Sequence, residues 1–331
     1  METHNLGTSG LLVTKLGLGL AALGRPGYIN LKHHEDLPEG YRVAEMERQT
    51  HQVLDAAYDA GIRYIDAARS YGRAESFLET WLQARKLKPG HVTIGSKWGY
   101  TYTADWQVEV AHHEIKDHSL NQLQRQWTES RNHLGQHLKL YQIHSATLET
   151  GVLEDTEVLN FLAHLKREKV MIGLSLSGAG QNKTLKKALD IEIDGVKLFN
   201  SVQATWNVLE RGAEEQLMEA HKSGLGVILK EVLANGRLTA RNGLPWDQRM
   251  IMKWQEMAET LGTTADVLAI RVAMEQAWGD VVLSGATTTA QLASNLKAAE
   301  ISLPAGFLEE VDEMAEDSDK YWARRKKLKW N

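Results

Sequence analysis

The 331-residue sequence contains no cysteine. This absence excludes disulfide frameworks, zinc–thiolate centres, haem thiolates and cysteine nucleophiles. The sequence also lacks an apolar run near the roughly 20 residues that span a bilayer, and its first residues lack the basic and apolar pattern of a secretion signal. We therefore expect a cytoplasmic protein with no membrane partner.

Positive charge is not in excess either. The chain carries 38 Lys and Arg against 43 Asp and Glu, a formal charge of −5, so it has no global field that attracts nucleic acid. Hydrophobic residues make up 43% of the chain and charged residues 24%, which is typical of a folded domain with a large core. A short basic tail, interpreted as a solvated terminus, contains Arg324, Arg325, Lys326, Lys327 and Lys329.

The order of elements indicates an α/β fold. Short apolar runs rich in Val and Ile alternate with longer segments of helical periodicity. Because each run is apolar on both faces, the strands should form a parallel sheet covered by helices, and a single (β/α)8 TIM barrel over residues 1–331 fits this length best. The predicted strands are Leu16–Leu20, Ile62–Ala67, Val92–Trp98, Leu138–Ser145, Val170–Ser177, Val196–Thr205, Gly226–Val232 and Val281–Gly285.

Helical periodicity lies between these strands and after the last one. Val53, Ala57 and Ala60, for example, recur at spacings of three and four and mark one helix face. The predicted helices are Glu45–Ala60, Glu75–Arg85, Leu120–Leu134, Thr156–Lys166, Lys183–Leu189, Ala213–Lys222, Ala265–Ala277 and Ala290–Ala299. Outside this repeat, residues 5–14 predict a hairpin that plugs the barrel, and Gln248–Leu261 and Phe307–Ala315 predict extra helices near the C-terminus.

Ionisable residues interrupt three consecutive strands at their C-terminal ends. They are Asp66, Lys97 and His144, and Tyr71 follows Asp66 by five residues. Since the C-terminal strand ends of a (β/α)8 barrel meet at one rim, we expect these four side chains to share a site. Each alone is typical of a helix cap, a solvated lysine or a hydrogen-bonded histidine. Their coincidence on adjacent strands indicates a function.

Longer motifs around these residues resemble those of a known family. Residues 64–72 read YIDAARSYG, residues 96–99 read SKWG and residues 141–144 read YQIH. In this order and spacing the sequence resembles the aldo-keto reductase family, from residues 6–13 to residues 284–287. The resemblance implies an oxidoreductase that interconverts a carbonyl and an alcohol with NADP or NAD, and a catalytic tetrad of Tyr71, Lys97, Asp66 and His144.

The chemistry of these groups agrees with the implied roles. A carbonyl that accepts hydride develops negative charge on its oxygen and needs a proton donor there. Tyr71 can supply the proton, and a Lys97 ammonium should favour the phenolate. Asp66 would hold Lys97, while His144 would orient the substrate oxygen. The expected partner is a small-molecule carbonyl or alcohol, with a sugar or small aldehyde preferred.

The segment after the last predicted strand resembles the family's loop for the adenosine half of the cofactor. It opens a helix, whose backbone N–H groups favour phosphate. The expected cofactor residues of this segment are Gly285, Ala286, Thr287, Thr288, Gln291 and Asn295. Residues 284–295 contain no Lys or Arg to meet a 2′-phosphate, so the choice between NADP and NAD stays open.

Near the nicotinamide the sequence departs from the family pattern. Leu176 follows Ser175 where the family often has an asparagine, which leaves Ser175 and Gln203 as the expected partners of the carboxamide. Lys230 stands where the family commonly places an aromatic ring on the nicotinamide. We expect Lys230 in the cofactor site together with Val232 and Leu233.

Aromatic residues are expected at the barrel mouth. Tyr28, Trp98 and Trp206 are the predicted substrate-binding residues, because flat amphipathic rings suit a sugar or a polar aromatic compound. The G-x-G-x-x-A match at residues 17–22 is not followed by a helical pattern, so it predicts the first strand rather than a phosphate loop. Two histidine pairs, in residues 33–35 and 112–114, lack metal-ligand spacing and predict solvated loops without a metal.

Two other functions remain open from the sequence. A lysine at a barrel strand end is also the nucleophile of Schiff-base aldolases, which makes Lys97 a candidate for that chemistry. A regulatory subunit that senses the cofactor is the third possibility, with the loop from Pro26 to Val43 as its docking segment.

Overall fold

Fourteen strands, eight of them in a closed parallel barrel, form the framework of the protein. The structure is a computed structural model that describes residues 1–331, the side chain of Glu39 excepted. The strands are β1 (Thr3–Asn5), β2 (Leu12–Thr14), β3 (Leu16–Gly19), β4 (Tyr64–Asp66), β5 (Thr93–Trp98), β6 (Tyr100–Tyr102), β7 (Glu114–Lys116), β8 (Leu138–Ala146), β9 (Met171–Leu176), β10 (Glu192–Ile193), β11 (Val196–Lys197), β12 (Ser201–Thr205), β13 (Gly226–Lys230) and β14 (Val281–Ser284). The barrel runs β3-β4-β5-β8-β9-β12-β13-β14 and closes on itself, which confirms the predicted fold.

Helices cover the outside of the barrel. They are α1 (Val43–Asp59), α2 (Ala74–Arg85), α3 (Leu120–Leu134), α4 (Thr156–Arg167), α5 (Gln181–Leu189), α6 (Glu214–Lys222), α7 (Gln248–Thr260), α8 (Ala265–Met274), α9 (Thr289–Leu296), α10 (Phe307–Asp312) and α11 (Ser318–Arg325). Short polar residues begin several of them: the side chain of Asp155 accepts from two backbone N–H groups at the start of α4. Within the described residues, every helix is too short or too polar to cross a membrane.

The N-terminal hairpin packs against the N-terminal ends of the barrel strands. β1 and β2 pair antiparallel, and Leu6 and Val13 join a buried cluster with Tyr64 and Ile228. Gly7 makes the close approach possible, since a Cβ on it would lie 2.4 Å from the backbone nitrogen of Gly226. The predicted plug is therefore present.

One predicted strand is too long. The segment Val196–Thr205 enters the barrel only at Ser201, because β11 pairs instead with β10 in a separate hairpin. The turn between them is Asp194-Gly195, with φ angles of 53° and 74°. Two consecutive residues with positive φ form the type of turn that closes a two-residue hairpin.

The prediction of a solvated C-terminal tail is wrong in part. Lys326, Lys327 and Lys329 are exposed as expected, but Arg324 and Arg325 end α11, which buries Tyr321 and Trp322. The Arg325 guanidinium pairs with Glu231. Beyond α11, the Trp330 ring stacks on His113 at 4.0 Å between centroids. The tail is ordered because its basic and aromatic residues find partners that lie far away in the sequence.

A buried ion-pair network ties the tail to the loop after β13. The Arg237 guanidinium donates to both carboxylate oxygens of Asp247 at 2.7 and 2.8 Å, and to Glu316 at 2.7 Å. Asp247 is fully buried, so it depends on this partner. Removing one member of a buried pair strands the other charge in a medium that solvates it poorly.

We expect Arg237→Met to lower the free energy of unfolding by about 3 to 5 kcal/mol. Arg167→Met is the matched control, because Arg167 and Asp194 pair at the surface with both side chains more than half exposed, and a surface pair contributes about 1 kcal/mol or less. Urea denaturation monitored by tryptophan fluorescence measures both values. Equal losses in the two variants would contradict the assigned importance of burial.

Candidate active site

A cavity opens at the C-terminal ends of the barrel strands. Five strands contribute lining residues, among them Gly19, Asp66, Gln203, Lys230 and Ser284. Tyr28 and Tyr71 line the same cavity from the loops above these strands. The strand register therefore collects polar side chains from distant parts of the sequence around one space.

The four residues of the predicted tetrad converge at this rim. The Lys97 ammonium donates to the Asp66 carboxylate at 2.5 Å, to the Ala67 carbonyl at 2.9 Å and to the Tyr71 hydroxyl at 3.2 Å. An ammonium has three hydrogens, and all three have an acceptor here. Lys97 is completely buried, so these contacts fix its position.

The Asp66 carboxylate accepts hydrogen bonds from further side chains. Its second carboxylate oxygen accepts from the Gln203 amide at 2.8 Å and from the Tyr64 hydroxyl at 3.2 Å, with the Gln142 amide at 3.4 Å. A buried carboxylate is costly unless it is paired and hydrogen-bonded, and Asp66 meets both conditions.

The Tyr71 phenol is kept protonated. Burial raises its pKa well above the ordinary value near 10, and the Asp66 carboxylate raises it further, while the Arg25 guanidinium acts in the opposite direction. Lys97 donates to the Tyr71 hydroxyl and is itself paired with Asp66, and its expected effect of favouring the phenolate stays a prediction. Tyr71 therefore faces the cavity as a neutral phenol.

His144 is placed beside Tyr71 by a bulge at the end of β8. The pairing of β8 with β9 shifts between Ile143 and Ala146, and Ser145 has a φ of 49°. The imidazole lies edge-on to the Tyr71 ring at 5.5 Å, and its Nδ1 lies 3.4 Å from the Ser70 hydroxyl. Burial lowers the pKa of His144 well below 6.5, with Lys97 acting in the same direction. The ring is thus neutral near pH 7.

A second pocket continues from the first. The two share Asn30, Leu233 and Gly285, and together they form an elongated groove. Of the predicted cofactor residues, Gln203, Lys230, Val232 and Leu233 line the first pocket, and Gly285, Ala286, Gln291 and Asn295 line the second. A Cβ on Gly285 would meet no atom within 4 Å, so the backbone there borders open space.

Other predicted cofactor residues are occupied by the protein itself. The Ser175 hydroxyl accepts from the Ser145 backbone at 2.8 Å and supports the bulge. Thr288 caps α9 by accepting from the Gln291 backbone at 3.1 Å, and Thr287 donates from its backbone to the Gln291 side chain at 2.9 Å. Thr287 and Thr288 thus fix the start of α9.

Of the three predicted substrate aromatics, only Tyr28 lines the cavity. Neighbouring residues of a strand point to opposite faces, so the inward direction of Lys97 turns Trp98 outward, where it packs on His118. Trp206 is also turned away: its indole N–H donates to Glu214 at 2.8 Å, and its ring packs on Trp278. The predicted binding roles of Trp98 and Trp206 are therefore wrong.

The histidine segments differ from the solvated loops predicted for them. His33 is fully buried beside the Tyr28 ring, and burial lowers its pKa to about 4. Glu114 lies in β7 and accepts from Arg25 at 2.8 Å. The Arg25 guanidinium packs on the rings of Tyr28, Tyr71 and Trp330. Sequence reasoning missed Arg25, since nothing near it in the sequence reveals these distant partners.

The second pocket contains further residues that the sequence did not reveal. Arg241 lines it and forms two hydrogen bonds to Asp36, at 2.5 and 2.6 Å. Asp266 lies on the same wall. Asn30 and Asn235 also line the groove. The Asn235 amide donates to the carbonyl of Ile29, the residue before Asn30, at 2.8 Å.

A parallel barrel with a lysine-bound tyrosine at its C-terminal rim and an elongated groove beside it defines a barrel oxidoreductase. The chain belongs to the aldo/keto reductase family, whose sequence model matches residues 15–316. The family uses a nicotinamide cofactor, so the chain is an NAD(P)-dependent oxidoreductase that acts on carbonyl and alcohol groups.

Several characterised proteins are similar over most of their length. An NADH-specific methylglyoxal reductase of Escherichia coli is 23% identical over 342 residues, which covers 96% of this chain and 99% of the relative. A pyridoxal 4-dehydrogenase of Microbacterium luteolum is 24% identical and covers 73% of each chain. The holo form of an aldo-keto reductase from Bacillus halodurans has the same fold, with a TM-score of 0.72 at 21% identity and coverage of 96% and 97%.

Buried neutral histidines make the stability depend on pH. Burial lowers the pKa of His118 to about 4, below the value near 6.5 expected for the unfolded chain. The unfolded state therefore binds the proton first, and the stability that His118 contributes is present above pH 6.5 and lost as the pH falls toward 4.

We expect the free energy of unfolding to fall between pH 7 and pH 5, with roughly 2 kcal/mol of the loss due to His118. In His118→Gln the difference in the free energy of unfolding between pH 7 and pH 5 should be smaller by that amount. His112→Gln, at an exposed histidine, should leave it unchanged. Urea denaturation at both pH values is the measurement, and an unchanged difference in His118→Gln would rule out this assignment.

Proposed function

We propose that the chain reduces a small aldehyde or ketone, or a sugar in its open form, with Tyr71 as the proton donor. The observation that supports this most directly is the chain of hydrogen bonds from Asp66 through Lys97 to the Tyr71 hydroxyl, which ends at the wall of the cavity. A carbonyl oxygen placed in the cavity against Tyr71 would meet a neutral phenol backed by a fixed ammonium.

The chain's own residues handle the proton. A bound nicotinamide cofactor supplies the hydride. Tyr71 donates its proton to the substrate oxygen, and the Lys97 ammonium at 3.2 Å then stabilises the phenolate left behind. Asp66 keeps Lys97 in place throughout. The neutral His144 ring packs beside Tyr71, and we propose that it hydrogen-bonds the same substrate oxygen.

The aldolase alternative fits the geometry less well. A Schiff-base lysine needs a neutral amine that the substrate can reach. The Lys97 amine is completely buried and has committed its three hydrogens to Asp66, Ala67 and Tyr71. A cofactor-sensing regulatory subunit stays an alternative, and turnover separates it from the enzyme.

We expect Tyr71→Phe to reduce kcat for aldehyde reduction by about 10² to 10⁴, because general acid catalysis contributes that much. NADH binding, followed by cofactor fluorescence, should stay within about twofold, since the ring remains. The control is Tyr28→Phe, which removes another phenol of the same cavity and should retain most of the turnover. Turnover like that of the unmodified protein in Tyr71→Phe would refute the assignment, and a protein that oxidises no bound NADH with any aldehyde would favour the sensor.

The groove supports NAD in preference to NADP. It has room for a long ligand, an open backbone at Gly285 and the start of α9 for phosphate. We propose that Gln203, Val232, Leu233, Gly285, Ala286, Gln291 and Asn295 contact the cofactor. The one cation on the wall of the second pocket within the described residues, Arg241, is neutralised by Asp36, and Asp266 adds negative charge. This wall suits a free ribose hydroxyl better than a 2′-phosphate.

We expect NADH to bind at least about tenfold more tightly than NADPH, a difference of roughly 1.4 kcal/mol. Asp36→Asn should narrow this gap, because it leaves the Arg241 charge without its carboxylate. Arg241→Met in the Asp36→Asn background should restore the gap. Titrations of cofactor fluorescence with NADH and NADPH measure the six affinities of the three proteins, and tighter binding of NADPH by the unmodified chain would overturn the proposal.

A further inference from the structure

Lys230 carries a charge that the protein leaves without a direct counter-ion. Its ammonium donates to the Thr205 hydroxyl at 2.7 Å and forms no ion pair with a carboxylate among the described side chains. Lys230 lines the cavity together with Tyr71 and Asp66. A cation in such a position loses hydration without gaining an anion, which is costly unless a ligand supplies one.

The carboxylate of the next residue in the chain, Glu231, is held by another partner. Glu231 accepts from the Arg325 Nε at 2.9 Å, and a second guanidinium nitrogen of Arg325 also contacts it. The Thr205 hydroxyl lies 3.4 Å from the same carboxylate and connects it only indirectly to Lys230. Glu231 is therefore neutralised by the C-terminal helix α11 and does not cancel the charge of Lys230.

A count of charges around the cavity isolates Lys230. Lys97 is paired with Asp66, Arg25 with Glu114, and Arg325 with Glu231. Each of these pairs sums to zero, so the cavity retains one positive charge. Burial lowers the pKa of Lys230 to about 8, a value at which most of the amine is still protonated at pH 7.

We propose that Lys230 binds an anionic group, a carboxylate or a phosphate, on the carbonyl substrate itself. The inference rests on the proposed reductase function, since it places the carbonyl at Tyr71 and the anion at Lys230 within one cavity. The substrate class is then an aldehyde or ketone that carries an acid group, or a sugar phosphate. A cofactor phosphate is the other source of an anion, but the start of α9 borders the second pocket, whereas Lys230 lines the first.

Matched pairs of aldehydes test the proposal. For each pair we compare kcat/KM of the carboxylated aldehyde with kcat/KM of the uncharged one, at saturating NADH. The pairs are 4-carboxybenzaldehyde with benzaldehyde, and 4-oxobutanoate with butanal. We expect a ratio of about 10 or more in the unmodified protein, a ratio near 1 in Lys230→Met, and a largely retained ratio in Lys230→Arg, which keeps the charge. A ratio that is the same in the unmodified protein and in Lys230→Met would overturn the proposal.

The pH dependence gives an independent check on the same ratio. It should fall as the pH rises past about 8, because the anion loses its advantage when Lys230 is deprotonated. The charged groups that act on Lys230 are Glu231 and Asp66, which favour the ammonium, and Arg325 and Lys97, which oppose it. In Lys230→Met the ratio should be independent of pH between 6 and 9. A ratio that stays constant through pH 9 in the unmodified protein would count against Lys230.

Two further measurements separate this inference from the function on which it rests. Calorimetric titration of the NADH complex with benzoate and with benzamide reports anion binding without turnover, and Lys230→Met should remove the preference for benzoate. If no aldehyde is reduced, the proposed function fails while this titration still tests Lys230. If Lys230→Met weakens NADH binding but keeps the preferences for carboxylated aldehydes and for benzoate, the charge binds the cofactor and the inference is wrong.

Discussion

The candidate site depends on one buried ion pair, between Asp66 and Lys97. Burying two charges costs more than their attraction returns unless further hydrogen bonds satisfy them. The barrel supplies these bonds from four directions: Gln203 and Tyr64 to the acid, and Ala67 and Tyr71 to the amine. Tyr71 is thus one of the groups that make the pair tolerable. The same contact that gives the ammonium its third acceptor also places a phenol at the cavity wall, so the stability of the pair and the position of the phenol have one cause.

Other charged side chains around the Asp66–Lys97 pair also form ion pairs, and the one charge without such a partner among the described side chains there is that of Lys230. Arg25 forms an ion pair with Glu114 and packs on aromatic rings. Arg325 forms an ion pair with Glu231 at the side of the cavity. Around these neutral pairs Lys230 stands alone, with only a hydroxyl as partner. A phenol and an imidazole in such surroundings both stay uncharged, because burial disfavours their ionised forms. An incoming substrate therefore encounters two neutral hydrogen-bonding groups and one cation, and the cation is the feature that distinguishes one carbonyl compound from another.

The sequence predicted the parts of this arrangement that depend on local periodicity. Alternating apolar runs and helical segments revealed the barrel, and the ionisable residues at the ends of three strands revealed the place where Asp66, Lys97 and His144 meet. The errors have physical reasons. Trp98 and Trp206 were expected at the mouth, but Trp98 packs on His118 and Trp206 packs on Trp278. The basic tail was expected to be solvated, yet Arg325 pairs with Glu231, 94 residues earlier in the chain. Contacts between segments so far apart leave no periodic pattern for a local analysis to detect.

This division follows from how a barrel is built. The residues proposed for proton transfer stand on or next to barrel strands, where hydrogen-bonded register fixes them to neighbours on either side. The groups that shape the entrance, Arg25, Tyr28 and the chain around Trp330, stand on connections and on the tail, and they are held by aromatic and ionic contacts rather than by backbone ladders. Substitutions in such segments alter shape and charge at the entrance while they leave the strands intact. Lys230 shares features of both groups. It ends β13, so the strand register fixes its position. Within the described part of the chain, its charge stays unpaired because Arg325 of the tail binds Glu231. Selection among substrates is thus coupled to the C-terminal helix, although the proposed chemistry lies on the strands.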